Sequence, residues 1–530
     1  MATSFPVELW ARVASLISRP DLMNLALVSR LHLDISRRIF CQEVTLDMTR
    51  FRLLENGEYD RHEVRNYIIK YNLSTAVQEI VVWGYATKPA LDKLLEVTPG
   101  LRSLSMIIAG CQVFLASAKA QQKFVRLLKR SCPSLEEFRL NAAAHLKDND
   151  FAIPNLKTVK WKEFGRVSPA FVSLCRASLS TLTEISLAIH DGAYTEFFRL
   201  CFPSLLRFKI GPGHAGYGRN ATRAKAISSG LTSFLVAHPS IENLNLAYQS
   251  VTDINRAIYI SLRPKLLTPD MLPNVKTLHA HPNQVSQLAT ANAEFLSSLK
   301  TLSISNRSSS GGQGYAYDFS GMLEKLAAKG PLFARHLVTT VPYGGTRAEN
   351  FASDMRKVAE AFPELETWVG SSPGKCTVEQ LAETFSQLPR LREISYDIVS
   401  SSSEQYTIEK VRIIAERCPL LARFVWRDTR PPTQFTVARP AHNQIAVSSA
   451  PLVMDEGRDA EGYHADSDAD NDEPRSDDEW PDEDDDDSED GEDVGGQDGA
   501  GNTGVDDNGH DMSDGFGSDQ EGGGVSKDED

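Results

Sequence analysis

Cysteine is scarce in this chain: there are seven in 530 residues, at positions 41, 111, 132, 175, 201, 376 and 418, with no Cys-x-x-Cys pair. An odd, scattered set argues against a disulfide framework or a zinc site and implies reduced thiols of the cytosol or nucleus. No apolar run approaches membrane-spanning length. The N-terminus lacks the basic region and apolar core of a secretory leader. Catalytic signatures are missing too: there is no His-Glu-x-x-His, no Gly-x-Ser-x-Gly and no phosphate loop ending in Gly-Lys-Ser/Thr. GPGHAGYGRN (211–220) and SSSGGQGYAYD (308–318) are Gly-rich, but neither places a lysine for phosphate, and both read as loops. His279 and His281 fall on one strand face without a further convergent ligand, so no metal is expected there. These absences lead to the expectation of a soluble intracellular protein, cytoplasmic or nuclear, with no catalysis and no cofactor. Its expected partners are proteins, with no membrane or nucleic acid among them.

Charge is present, but divided. Residues 455–530 carry 32 acidic side chains against Arg458, Arg475 and Lys527, whereas residues 1–454 hold 53 basic against 39 acidic. The net charge of −15 therefore describes an acidic tail on a basic body. The tail, Gly-rich and including PDEDDDDSEDGED, cannot bury enough apolar surface to offset its ordering and is expected to be disordered. Ser467, Ser476 and Ser518 each precede an acidic residue at i+3, which suits an acid-directed kinase. Three roles stay open for it: solvating the body, binding basic proteins, or competing with a target for the basic body. Residues 431–454 read as a linker or cap.

The first forty residues pattern as three short helices. Leu9, Val13, Leu16 and Ile17 share a face of a helix running from Val7 to Ile17. Pro20-Asp21 then restarts the chain into Leu22, Leu25 and Val28, and a third helix, Leu31 to Phe40, presents Leu31, Ile35, Ile39 and Phe40. So small a unit buries too little surface to stand alone, and its leftover apolar side chains need a neighbour. Phe5-Pro6-x-Glu8-Leu9, Val13, Ser15, Ile17, Pro20-Asp21-Leu22, Leu25, Val28 and Ser29 resemble the F-box in ungapped register. The chain departs from that pattern at Phe5 for Leu, Ala14 for Phe, Ser29 for Cys and His32 for Trp. SRRIFCQEVTL, which follows, looks like the segment leading fungal F-box proteins into their second domain. The resemblance implies a Skp-type adaptor, and through it a cullin, as partners. By position it makes Pro6, Leu9, Val13, Ile17, Leu22, Leu25 and Val28 the apolar contacts, some of which must instead hold the helices together.

Behind this segment a pattern recurs: TPGLRSLSM, CPSLEEFRL, IPNLKTVKW, FPSLLRFKI, HPSIENLNL, LPNVKTLHA, FPELETWVG, LPRLREISY and CPLLARFVW are examples. Each has apolar residues at i and i+3, usually also at i+5, and Pro two places before the first. The first apolar position recurs every 21 to 36 residues from Val77 to Leu421, which implies an array. A short strand closes each unit, and amphipathic helices such as AQQKFVRLLKRS precede it. Residues 45–430 thus resemble a leucine-rich-repeat domain: α/β, an irregular solenoid with a parallel inner sheet and outer helices. The asparagine ladder usual in that family is almost absent. Cys132, Cys201 and Cys418 are expected to be small buried residues at helix-to-strand junctions.

Residues at i+2 and i+4 of each repeat should face away from the core. Among them Arg139, Lys160, Lys162, Arg207 and Lys209 would form a basic stripe, suited to an acidic or phosphorylated protein target. Together these features imply a substrate-recognition subunit of an SCF-type ubiquitin ligase. The alternative is a leucine-rich-repeat scaffold outside any ligase, or an acidic-tailed binding protein for basic partners.

Overall fold

The computed structural model describes residues 6–47, 63–83, 88–108, 117–142, 151–163, 169–189, 194–212, 221–247, 260–305, 319–339, 348–371, 376–398, 406–427, 432–440 and 444–452. The chain divides into two units, residues 1–466 and 467–530, and every described residue lies in the first. Phe5, the two Gly-rich segments beyond Pro212, Cys111 and the acidic tail fall outside the described residues.

Three helices open the fold: α1 (Val7–Ala14), α2 (Arg19–Ala26) and α3 (Arg30–Phe40). Their starts follow from side chains. Ser18 Oγ accepts the Asp21 N–H, and Ser29 Oγ accepts the His32 N–H, each satisfying an orphan donor of the first turn. Helix α1 ends at Ala14, three residues short of the expected Ile17, and the chain turns through Ser15–Ile17. The trio has a small core of its own, Ala14, Leu22 and Ile35, flanked by Trp10, Ile17, Leu25, Ile39 and Phe40. Ala14, where the family pattern has Phe, is buried in it.

Beyond the trio the described residues form one sheet of sixteen strands in sequential order, with helices between them. These are β1 (Glu43–Asp47), β2 (Glu79–Trp83), β3 (Ser103–Ile108), β4 (Glu137–Ala142), β5 (Thr158–Glu163), β6 (Glu184–Ile189), β7 (Arg207–Pro212) and β8 (Asn243–Asn245). They continue with β9 (Thr277–Ala280), β10 (Thr301–Ile304), β11 (His336–Thr339), β12 (Thr367–Ser371), β13 (Glu393–Ile398), β14 (Arg423–Trp426), β15 (Thr433–Ala438) and β16 (Ala446–Pro451). Pairing is parallel from β1 to β14 and antiparallel from there to β16. Residues 431–454, expected as a linker or cap, thus include a hairpin that extends the sheet in the reversed direction. The α/β class and solenoid-like parallel array hold. Strand β1, one unit ahead of Val77, was not legible as a repeat.

Repeated Pro has a specific task. In Thr98-Pro-Gly-Leu101, Cys132-Pro-Ser-Leu135, Phe202-Pro-Ser-Leu205, His238-Pro-Ser-Ile241, Phe362-Pro-Glu-Leu365 and Cys418-Pro-Leu-Leu421, the fourth residue donates its N–H to the carbonyl of the first. Each is a turn with Pro at its second position, where the ring's fixed φ is already correct. The residue before Pro is buried in every case. This register corrects one expectation. Phe202 takes the slot that Cys132 and Cys418 occupy, leaving Cys201 one residue too early and exposed. Burial pushes the Cys132 and Cys418 thiols up to about 12, as unreactive packing groups.

From each turn the chain enters its strand through a shared acceptor. The Gln78 and Glu79 N–H groups both donate to the Gln42 carbonyl, those of Arg102 and Ser103 to Gln78, and those of Glu136 and Glu137 to Arg102. The pattern continues without a break to Ala422 and Arg423 on Arg392, at N···O distances of 2.7 to 3.2 Å. Both carbonyl lone pairs are used, so each strand begins at the same height as its predecessor. Inward rows such as Leu104, Phe138, Val159, Ile185 and Phe208 then pack against helices including Ala118–Ser131 and Pro169–Ala177 in one continuous core.

Two buried histidines tie helices to this array. His238 Nε2 accepts the Phe202 N–H at 2.9 Å, which leaves Nδ1–H to donate to the Phe234 carbonyl at 2.6 Å. His281 caps the helix Pro282–Thr290, its Nδ1 accepting the Asn283 N–H while Gln284 Oε1 accepts the His281 N–H. Burial lowers both, His238 against the opposing pull of the Phe234 carbonyl and His281 down to about 4. The unfolded chain, with ordinary histidines near pH 6.5, therefore takes up protons first as pH falls. Stability is full above about pH 6.5 and drops toward pH 4, by roughly 3 kcal/mol for His281 alone. Urea unfolding midpoints at pH 7.5, 6 and 4.5 should fall accordingly. His281→Asn, which preserves a capping acceptor, should flatten that decline relative to wild type.

Candidate functional site

Two surfaces stand out, and the first is the helical trio. Exposed large apolar side chains concentrate there: Val7, Leu9, Val13, Leu16, Met23, Leu27, Val28 and Leu31. The structure sorts the seven expected contacts into two groups. Pro6, Leu9 and Val13 are exposed, as is Val28 at 68%. Ile17 and Leu25 are half-buried against the trio's core, and Leu22, 2% exposed, is one of its three central residues. Leu22 is therefore a core residue and is corrected out of the docking set. Helix α2 turns it inward against Ser36, whose Oγ donates to the Leu22 carbonyl at 3.3 Å. Leu16 and Leu27, 80% and 85% exposed, were not among the seven: Leu16 lies on the helical stripe but at no matched F-box position, and Leu27 follows the end of α2.

His32, where the family pattern has Trp, packs edge-on against Trp10 with ring centroids 4.5 Å apart. Its Nδ1 lies 2.8 Å from Ser29 Oγ. The trio meets the first repeat through the Arg37 guanidinium, which lies over the Tyr71 ring at 4.0 Å, and through an exposed Arg19–Glu43 ion pair at 3.3 Å. Tyr71 belongs to the turn following α4 (Glu63–Lys70).

The second surface is the sheet face opposite the helices. Register places its side chains on a lattice, with neighbouring strands about 4.8 Å apart and alternate residues about 6.7 Å apart along a strand. One row reads Glu43, Glu79, Ser103, Glu137, Thr158, Glu184, Arg207, Asn243, Thr277 and Thr301. The next reads Thr45, Val81, Ser105, Arg139, Lys160, Ser186, Lys209, Asn245, His279 and Ser303. A third begins at Asp47 and runs through Trp83, Ile107, Asn141 and Lys162.

The five expected cations all lie on this face, but they do not make a stripe. Arg139 and Lys160 are neighbours, Ser186 separates them from Lys209, Arg207 sits in the carboxylate row, and Lys162 sits in the third. Lys160, Arg207 and Lys209 carry counter-ions from the face itself. Lys160 pairs with Glu137 at 3.0 Å, and Arg207 and Lys209 pair with Glu184 at 2.9 and 3.4 Å. Between β1 and β7 the first row thus sets Glu43, Glu79, Glu137 and Glu184 beside these cations. The physical reason was visible in the repeats, since i+2 supplied Glu as regularly as i+4 supplied Lys or Arg. Glu79 has no ion-pair partner. Its carboxyl is held above the ordinary range first by burial, then by Glu43 and Glu137, against the lowering pull of Lys160 and Arg139.

Beyond β7 the face becomes uncharged, through Asn243 and Asn245 to Thr301 and Ser303. His279 joins that neutral stretch, while His281 turns away into its cap. Among the described residues no group of His, Cys, Asp and Glu is arranged to hold a metal, and no helix is long and apolar enough to cross a membrane.

No family model matches the chain, and no curated protein matches it in sequence. Among solved structures, one described as the crystal structure of the Rad7 and Elc1 complex in yeast is similar over 79% of this chain and 86% of that chain. The TM-score is 0.38 at 13% identity, a distant likeness with no bearing on function.

Glu184 is the keystone of the charged face, 4% exposed between its two cations. Glu184→Ala leaves Arg207 and Lys209 without a counter-ion and should lower the unfolding free energy by about 1–3 kcal/mol. Urea denaturation reads this directly, with Glu184→Gln losing less.

Proposed function

We propose that the protein is a non-catalytic substrate-recognition subunit of an SCF-type ubiquitin ligase. The trio acts as an F-box that docks a Skp-type adaptor, and through it a cullin. The leucine-rich-repeat-like sheet holds a target protein on its helix-free face. The target is brought near a recruited conjugating enzyme, and rate comes from that proximity, since the receptor lends no acid, base or nucleophile.

One observation carries the reading. The side chains that match the F-box pattern outside the trio's own core, Pro6, Leu9, Val13 and Val28, are exposed where a partner would cover them. A trio that merely closed the array would turn such residues onto the first repeat. Among the described residues, contact there includes Arg37 over Tyr71 and the Arg19–Glu43 pair. On this reading the exposed patch becomes the core of a permanent interface, where apolar residues are favoured.

Co-purification tests it. Wild type should bring down adaptor and cullin, and Leu9→Asp/Val13→Asp should lose both with an unchanged melting temperature. Leu22→Asp, by contrast, should unfold the trio. Capture of adaptor unaffected by the double substitution would sink the reading and leave a repeat scaffold outside any ligase.

A further inference from the structure

The N-terminal strands of the helix-free face bring opposite charges together in a fixed geometry. On β2, Glu79, Val81 and Trp83 stand in one column, alternating with buried Ile80 and Val82. Val81 is a half-buried apolar floor, Glu79 carries no ion-pair partner, and Trp83 is 45% exposed. A long cationic side chain laid over Val81 would meet a carboxylate on one side and an indole face, the best cation–π partner, on the other. Two strands on, Arg139 is exposed. In register between Val81 and Arg139 lies Ser105, whose hydroxyl is buried without a hydrogen-bond partner. A carboxylate at that point would take two donors from Arg139.

We propose that the helix-free face of β2–β4 binds an extended segment of a partner protein carrying one Lys or Arg and one Asp or Glu a short, fixed distance apart, with the cation over Val81 and the acid at Arg139. Val81 and Arg139 share a row, so two strand spacings separate the subsites by about 10 Å, which an extended chain covers in about three residues. A purely anionic segment is disfavoured. Lys160 and Lys209 already hold Glu137 and Glu184, and Glu79 repels a second anion beside Arg139. The proposal rests on the face being the target-holding surface of the ligase reading, and it names what that surface selects.

Fluorescence anisotropy with the full-length protein and labelled peptides tests it. The peptides carry a Thr/Ser/Val background with one Arg and one Glu, one to seven positions apart, in both orders. Binding should peak at a separation of about three in one order, about tenfold tighter than the reversed order or a separation of seven. Glu79→Lys/Arg139→Glu should exchange the preferred order, and Trp83→Ala should weaken the preferred peptide severalfold while the trio still captures adaptor. Should the double variant fail to fold, Glu79→Gln and Arg139→Gln must each flatten the separation profile. A flat profile in wild type overturns the proposal. So does tightest binding of an all-acidic or phosphorylated peptide that Glu79→Gln strengthens. Because adaptor capture is scored on the same variants, failure here with capture intact leaves the ligase reading standing.

Discussion

One backbone carbonyl serving two N–H groups of the next repeat is the constraint on which the rest of this structure depends. From Gln42 to Arg392 it fixes where each strand begins relative to the last. A sheet with one face buried already resists slippage, because a one-residue shift would turn every side chain over. Here the shared acceptor sets register before the strand starts. Intervals between strands differ widely in length, and the array still keeps its rows. Irregularity is absorbed by helices and connections, as in the single-turn helix Tyr194–Phe197 beside the long helix Ala221–Ala237.

That alignment turns a one-dimensional repeat into a two-dimensional surface. Because Glu137, Glu184 and Arg207 share one row and Arg139, Lys160 and Lys209 the next, charges neutralise each other within the face. Its long-range field is weak, and discrimination passes to geometry at short range. The trio shows the opposite economy. It keeps three residues at the centre of its own core and leaves half of its described large apolar side chains at the surface.

Much of this was legible in sequence, because the signals were local. The x-Pro-x-apolar turn, the alternation in each strand and the three short helices all follow from dihedral preference and periodicity. What stayed hidden depended on neighbours. Cys201 and Cys132 look alike until Phe202 is seen to fill the buried slot. Leu22 and Leu9 have equal hydrophobicity, and only the packing of α2 on α3 separates a core residue from an exposed one. The cations were found one by one, but their pairing with Glu137 and Glu184 is a cross-strand property that no single repeat contains. Strand β1 escaped because it follows α3 directly, inside the stretch whose pattern is that of the three helices.

The antiparallel turn from β14 into β15 and β16 carries a consequence for how such a molecule lengthens over evolutionary time. Each repeat is copied in the orientation of its template, and the two-donor joint accepts a newcomer only when it runs the same way. A duplicated unit appended after the hairpin would face a strand pointing against it. A further parallel unit is accommodated only ahead of the hairpin, where the two-donor joint can form on both of its sides.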